Sequence, residues 1–235
     1  MGIGDWARVF PPFPEFNDKL DIYASMEAAK DIGGDFYDFF RIDDDRIALV
    51  IADVCGKGIP AALFMAVSRT IIRSKGMQGV SAEECLTESN RLLAAYSVDC
   101  MFVTVFYAIY NTKTGLITYC NGGHNSPHLL RADGTVKELP RAKSIILGAF
   151  DGAEYIEENL QMEHGDTLVM YTDGVTEAMN PAFEELGEER LDRILSGLAD
   201  KSSQEIVEAV KTGIADFVNG AEQSDDITML VLKRK

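Results

Sequence analysis

Five aspartates carry the chemistry that this sequence offers. Asp35 follows Gly33-Gly34. Asp53 closes the apolar run 47–52 and precedes Val54-Cys55-Gly56-Lys57-Gly58. Asp173 ends the run LVMYT and precedes Gly174, and Asp225-Asp226 stands directly before ITMLVL. A carboxylate at the end of a buried strand is costly unless it is paired or holds a cation. Glycine beside it lets the backbone approach a ligand closely. Hard oxygen donors with no His or Cys cluster suit Mg²⁺ or Mn²⁺ rather than zinc. Taken singly, each Asp-Gly is ordinary turn chemistry. Taken together, four acidic spots on four apolar strands reach one edge of a sheet system if the strands share it. Spacing and residue type leave both readings open, turns and a carboxylate metal centre.

The remaining reactive residues exclude other chemistries. The three histidines (His124, His128, His164) form no HxxxH pair, and the four cysteines (Cys55, Cys85, Cys100, Cys120) form no CxxC. Zinc-ribbon and thioredoxin spacings are therefore absent. His124, in NGGHNSP, sits among turn formers and reads as a loop histidine bonded to backbone rather than a general acid. Cys55 reads as a small packing residue.

The elements that must position these acids follow from periodicity. Strands are expected at 20–28, 34–41, 46–54, 102–111, 116–121, 127–131, 135–139, 155–160, 167–172 and 227–233. The run RIALVIADV is apolar on both faces, as a strand covered on both sides must be. Helices are expected at 61–75, from Ser81 to about Ser97, at 184–198 and at 203–218. Pro60 suits a first helical turn, and Ser81 with Glu84 spells a capping box. Ala132-Asp133-Gly134 marks a hairpin. The aromatic run Phe36, Tyr37, Phe39, Phe40 reads as core. Many antiparallel strands with paired helices and no regular βαβ alternation point to an α+β layered fold.

Composition bounds the rest. The chain has 235 residues, 46% of them hydrophobic and 26% charged, with a formal net charge of −16. That is a globular composition, large enough for a substantial core. The acidic balance argues against a general nucleic-acid binder and against docking on anionic membranes. No signal stretch opens the chain and no apolar run is long enough for a span. A reduced, cytoplasmic protein is expected. Residues 1–18 hold three of the seven prolines and read as the end of an upstream linker, followed by one domain over 19–235.

GGDFYD superficially resembles the GG[DE]EF signature of diguanylate cyclases, but Phe36-Tyr37 stands where Glu-Phe is needed. A fuller resemblance covers residues 20–233. AKDIGGDFYDFF, ADVCGKGIPAALFMA, FVTVFYAIYNTKTGLITYCNGGHNSPHLL, LVMYTDGVTEA and SDDITMLVL follow in order. Together they resemble the bacterial SpoIIE/RsbU-like branch of the protein phosphatase 2C-like (PPM) metal-dependent Ser/Thr phosphatases. The resemblance implies a four-layer α-β-β-α sandwich with two central antiparallel sheets. It implies two Mn²⁺ or Mg²⁺ ions per site, which activate a water that attacks the phosphorus of phosphoserine or phosphothreonine.

Residue by residue, the resemblance puts Asp53 between both metals, with the carbonyl of Val54 on one. Asp173 and Asp225 hold the other. Asp35 binds directly or through water, and Asp226 shares or exchanges the role of Asp225. Lys30 falls where animal relatives place a phosphate-binding arginine, and Lys57 is a second candidate for that task. A third metal is left open by the motifs, with Asp99 or another loop acid as its candidate ligand. Adjacency of the helix at 59–73 to the Asp53 loop suggests a switch that repositions Asp53. The implied substrate is a phosphorylated STAS-domain anti-sigma-factor antagonist in a stress-response pathway, with an upstream sensor and a dimerising linker beyond this chain. The alternatives are a catalytically silent pseudophosphatase that binds phosphoproteins, and an unrelated carboxylate-metal hydrolase of small phosphates.

Overall fold

A computed structural model of the chain describes residues 19–30, 33–96, 101–141 and 143–235. The expected linker 1–18, together with Ser97, Asp99 and Cys100, lies outside the described residues. Period-two burial organises everything else. In β3 (Arg46–Val54), Ala48, Val50, Ala52 and Val54 enter one core, while Ile47, Leu49 and Ile51 enter another. Successive strand side chains point to opposite faces, so β3 must be covered twice.

The cover comes from two five-stranded sheets, every ladder antiparallel. One joins β2 (Phe36–Arg41), β3, β4 (Val103–Asn111), β5 (Leu116–Gly122) and β8 (Glu158–Gln161) in that order. The other contains β1 (Leu20–Glu27), β6 (His128–Leu130), β7 (Val136–Glu138), β9 (Thr167–Tyr171) and β10 (Ile227–Arg234), ordered β1-β10-β9-β6-β7. Leu168, Met170, Leu230 and Leu232 face Ile47, Leu49 and Ile51 in the core between the sheets. Burying each such side chain contributes roughly 1.5–3 kcal/mol.

Helices close the sandwich. α1 (Ile59–Gly76) and α2 (Ala82–Tyr96) cover the first sheet, where Ala61, Ile72, Leu86 and Leu93 meet the even-numbered face of β3. α3 (Asp173–Thr176), α4 (Glu188–Leu195) and α5 (Ser203–Val218) cover the second. There Val175, Leu191, Leu195, Ile206 and Val210 meet Val169, Tyr171, Met229 and Val231. This is the expected α-β-β-α sandwich. Phe36 and Phe40 enter the helix-side core and Tyr37 the core between the sheets, as their alternation predicts.

Local differences have local causes. The strand expected at 155–160 is β8 at 158–161, because Tyr155 turns into the helix-side core. The helix expected from 184 begins at 188, because a Met179–Glu185 bridge folds the preceding residues into a hairpin and Gly187, at φ 70°, caps the helix. Ser81 Oγ accepts the Glu84 N–H at 3.1 Å, while the free N–H of Ala82 goes to Glu157 at 3.0 Å. Among the described residues no helix is long and apolar enough to cross a membrane.

Candidate active site

The face between the sheets changes character at one end. Asp53 continues the row Ile47, Leu49, Ile51 on β3. Thr172 continues Leu168 and Met170 just past β9, and Thr228 precedes Leu230 and Leu232 on β10. Polar side chains thus replace apolar ones at positions that strand parity points inward. The loop before β2 brings Asp35 against them. Thr172 Oγ1 donates to Asp35 Oδ2 at 2.7 Å and accepts the Thr228 N–H at 3.1 Å. Asp35 is buried.

Asp226 holds this loop in place. Its Oδ1 accepts the Ala29 N–H at 2.9 Å, and its Oδ2 accepts the Gly34 N–H at 2.8 Å and the Asp35 N–H at 3.4 Å. Both glycines beside these contacts are sterically required. A Cβ on Gly33 would stand 2.3 Å from Asp226 Oδ2, and one on Gly174 would stand 2.0 Å from the Asp226 carbonyl oxygen. Both distances are far inside van der Waals contact.

Asp225 points elsewhere. Its Oδ1 accepts the Asp226 N–H at 2.9 Å, and its Oδ2 lies 3.1 Å from Lys57 Nζ, which also donates to the Ser224 carbonyl at 2.9 Å. Asp173 is the first residue of α3, a one-turn helix, rather than the end of a strand. Lys30, Asp53, Lys57 and Asp225 line one small cleft, with Ala29 and Gly34 on its wall. Lys30 is exposed at its mouth.

Electrostatics show how crowded the cleft is. Burial, then the Asp53 charge, raises the Asp35 carboxyl well above its ordinary range. Burial, then Asp173, pushes Asp53 up to about 6. Burial, then Asp225, raises Asp173, while the Gly174 N–H and Lys57 oppose the shift. Glu177, four residues after Asp173, is raised by burial and then by Asp173. Desolvation and like charge act in the same direction on each. Among the described residues, no three His, Cys, Asp or Glu side chains already converge in an arrangement that could hold a metal ion. Asp53, Asp225 and Asp226 line the cleft, and Asp35 and Asp173 lie close enough to Asp53 to share its electrostatics. The acids do not meet at a point, with Asp226 turned to backbone donors and Asp225 to Lys57.

The other candidates fall outside this cluster. His124 is buried and its ring Nδ1 lies 2.9 Å from Thr104 Oγ1. Its N–H and carbonyl are both bonded by Asn121, at 2.8 and 3.0 Å. Burial pushes its pKa down to about 4, so the ring is neutral and structural. Cys55 Sγ accepts the Phe102 N–H at 3.1 Å. Burial raises the thiols of Cys85 and Cys120 to about 12, which keeps them unreactive. Sequence reasoning overlooked Thr172, Thr228 and Glu177. For the threonines a signal exists, since each is a polar residue at an inward position of an apolar strand.

Relatives place this arrangement in a family. A family model described as stage II sporulation protein E (SpoIIE) matches residues 43–235. The phosphoserine phosphatase RsbU of Bacillus subtilis is 34% identical over 92% of this chain, and Protein IcfG of Synechocystis sp. is 30% identical over 91%. The chain spans 64% and 38% of the lengths of those two relatives. The solved PP2C phosphatase domain of the cell fate determinant SpoIIE from Bacillus subtilis, with a fragment of its regulatory domain, superposes with a TM-score of 0.80 at 20% identity. That match covers 92% of this chain and 63% of the other, and shows the shared fold. From the family match over most of its length and from its two-sheet sandwich, the chain belongs to the SpoIIE family, in the SpoIIE/RsbU-like branch of the PPM fold.

Proposed function

We propose that residues 19–235 form the catalytic domain of a metal-dependent protein serine/threonine phosphatase. The observation that carries this reading is the cluster of Asp35, Asp53, Asp173 and Asp225, near enough for their charges to act on one another, beside a cleft that Asp53 and Asp225 line with Lys30 and Lys57. The donor chemistry fits divalent cations. Three of the four carboxyls are driven toward proton uptake because their charges are buried together, and bound cations relieve that repulsion. Lys57 stands in for such a charge at Asp225. Two ions, Mn²⁺ or Mg²⁺, would be held by Asp53 with the Val54 carbonyl, by Asp173 and Asp225, and by Asp35 directly or through water. When bound, they supply Lewis acidity that activates water and offsets charge on a phosphoryl group.

The chain's own residues do the rest. Asp226 fixes the Gly33-Gly34-Asp35 loop through three backbone N–H groups and so positions Asp35. Thr172 orients the Asp35 carboxyl. The apolar core between the sheets closes the inner end of the cleft to water. Lys30 meets the phosphate as a point charge without the bidentate geometry of arginine. With a cation at Asp225, Lys57 would be released to add a second positive charge at the mouth.

The substrate is proposed as phosphoserine on a signalling protein, a STAS-domain anti-sigma-factor antagonist in the same class of pathway, with sensor and dimerising segments outside this chain. The relative named phosphoserine phosphatase RsbU supports the phosphoserine assignment. Hydrolysis of p-nitrophenyl phosphate and of a phosphoserine protein, in Mn²⁺, Mg²⁺ or EDTA, tests the reading. Metal-dependent turnover that falls by at least about 10²-fold in Asp173→Ala is expected. Metal binding with no turnover in any condition, also after an upstream segment is restored, makes the chain a phosphoprotein-binding pseudophosphatase instead.

A further inference from the structure

Beside the acid cleft lies a groove that the phosphatase reading does not use. It has a volume of about 240 Å³ and runs between the loop after α3 and the last turns of α5. Ala178, Met179, Ile214, Ala215 and Val218 give it an apolar floor, and its end is formed by Gly174 and Asp225. Asp225 also lines the acid cleft. The two depressions therefore share a wall, with the Lys57–Asp225 ion pair on the divide. The space suits a side chain and falls below the usual size of a cofactor site.

The rim selects by charge. Lys211 is paired with Glu27, so it offers no free cation to a ligand. Asp225 is likewise paired, with Lys57, which leaves Glu222 to repel an acidic side chain. One edge of the groove belongs to the hairpin that the Met179–Glu185 bridge closes. Its tip presents Phe183, 85% exposed and at φ 60°, a conformation that a bulky residue adopts at a cost. The Asn180 carbonyl accepts the Phe183 N–H at 2.9 Å, and Asn180 Oδ1 accepts those of Ala182 and Glu184 at 2.9 and 3.0 Å. An exposed aromatic side chain on a turn whose backbone is fixed, in the hairpin whose base lines the apolar groove, has the form of a binding anchor.

We propose that this groove takes an apolar side chain of the substrate protein, close in sequence to its phosphoserine, and that Phe183 packs on the same segment. The inference deepens the phosphatase reading and rests on it for the phosphoserine. An extended chain advances about 3.3 Å per residue. A residue within a few positions of the phosphoserine therefore crosses the shared Asp225 wall and enters the groove. The occupant is apolar and not acidic, because the floor is apolar and the rim charge left over from the two ion pairs, Glu222, is negative.

Two fluorescein-labelled phosphoserine peptides, identical except for Leu or Glu flanking the phosphoserine, test this against the whole chain. Binding is read by anisotropy in EDTA, and hydrolysis in Mn²⁺ beside p-nitrophenyl phosphate. The Leu peptide is expected to bind about tenfold more tightly, the factor that burial of one apolar side chain supports. Ala215→Trp fills the groove from an exposed helical position and removes that preference. It leaves p-nitrophenyl phosphate turnover within about twofold, since small substrates do not reach the groove. Phe183→Asn, which suits the positive φ, weakens the Leu peptide about threefold without lowering thermal stability.

Equal binding of the two peptides by the wild-type chain overturns the proposal. So does a preference that survives both substitutions. An intact Leu preference with no hydrolysis of any substrate keeps the groove and overturns the phosphatase reading instead.

Discussion

At the scale of the residue, two adjacent aspartates do different work. Asp226 accepts three backbone N–H groups, whereas Asp225 faces Lys57. Asp226→Ala should therefore lower unfolding free energy by about 2 kcal/mol, the cost of stranding buried donors. Asp225→Ala should leave stability within about 0.5 kcal/mol, since its ion pair is half exposed, yet weaken Mn²⁺ binding at least tenfold. Urea melts in EDTA and Mn²⁺ titrations separate the two, and equal stability losses would show that the roles are not divided. His124 gives a pH prediction. Its folded pKa is depressed to about 4 by burial, below an unfolded value near 6.5. The unfolded chain then binds the extra proton between those values, so stability falls as pH drops from about 6.5 toward 4. His124→Gln should flatten that part of the stability curve, whatever its offset at pH 7. Parallel curves for the two proteins would mean that the ring is charged in the fold.

At the scale of the element, α1 is tied to the strand that follows Asp35. Asp38, buried on β2, lies 2.7 Å from Arg73 and 3.3 Å from Arg69 of α1. Arg73 also covers the Phe40 ring at 4.8 Å. α1 starts five residues after Val54, so these pairs join the elements that carry Asp35 and Asp53. This gives the idea of a switch helix a physical anchor: turning α1 must break or remake contacts to Asp38. Removing one partner of a buried carboxylate costs several kcal/mol, discounted here because both arginines are partly exposed. Arg73→Ala should lower stability by about 2 kcal/mol and raise the Mn²⁺ concentration needed for half-maximal turnover. Unchanged metal dependence alongside lost stability would make the pair a clamp with no bearing on the site.

At the scale of the whole molecule, three apolar cores are separated by two sheets, and at one end of the core between the sheets polar side chains replace apolar ones beside Asp35 and Asp53. The negative charge of these acids is part of the chain's formal net charge of −16. On the proposed function, the arrangement would attract cations and meet a phosphate through Lys30, Lys57 and those cations. A Leu230→Ala cavity in the core between the sheets should cost about 2–5 kcal/mol. Both sheets contribute to that core, so far-UV circular dichroism and tyrosine fluorescence should still report one coincident unfolding transition. Separate transitions would show that the sheets fold independently.

Much of this was legible without coordinates, because strand parity and capping are local. The double alternation of 46–54 required a covered strand, the boundaries of α5 were read from the sequence although its Ser202 cap was not, and the acids were found from the apolar runs they adjoin. The sequence by itself determined the layered α+β class and the set of aspartates. Tertiary structure alone decided what each aspartate faces. Asp225 and Asp226 are chemically identical neighbours, and only the approach of the 29–35 loop and the Lys57 loop, each more than 160 residues away along the chain, turns one toward backbone and the other toward a cation. The groove beneath Met179 and the placing of Asp173 on a helical turn were hidden for the same reason. Both depend on contacts between distant segments, which no local period encodes.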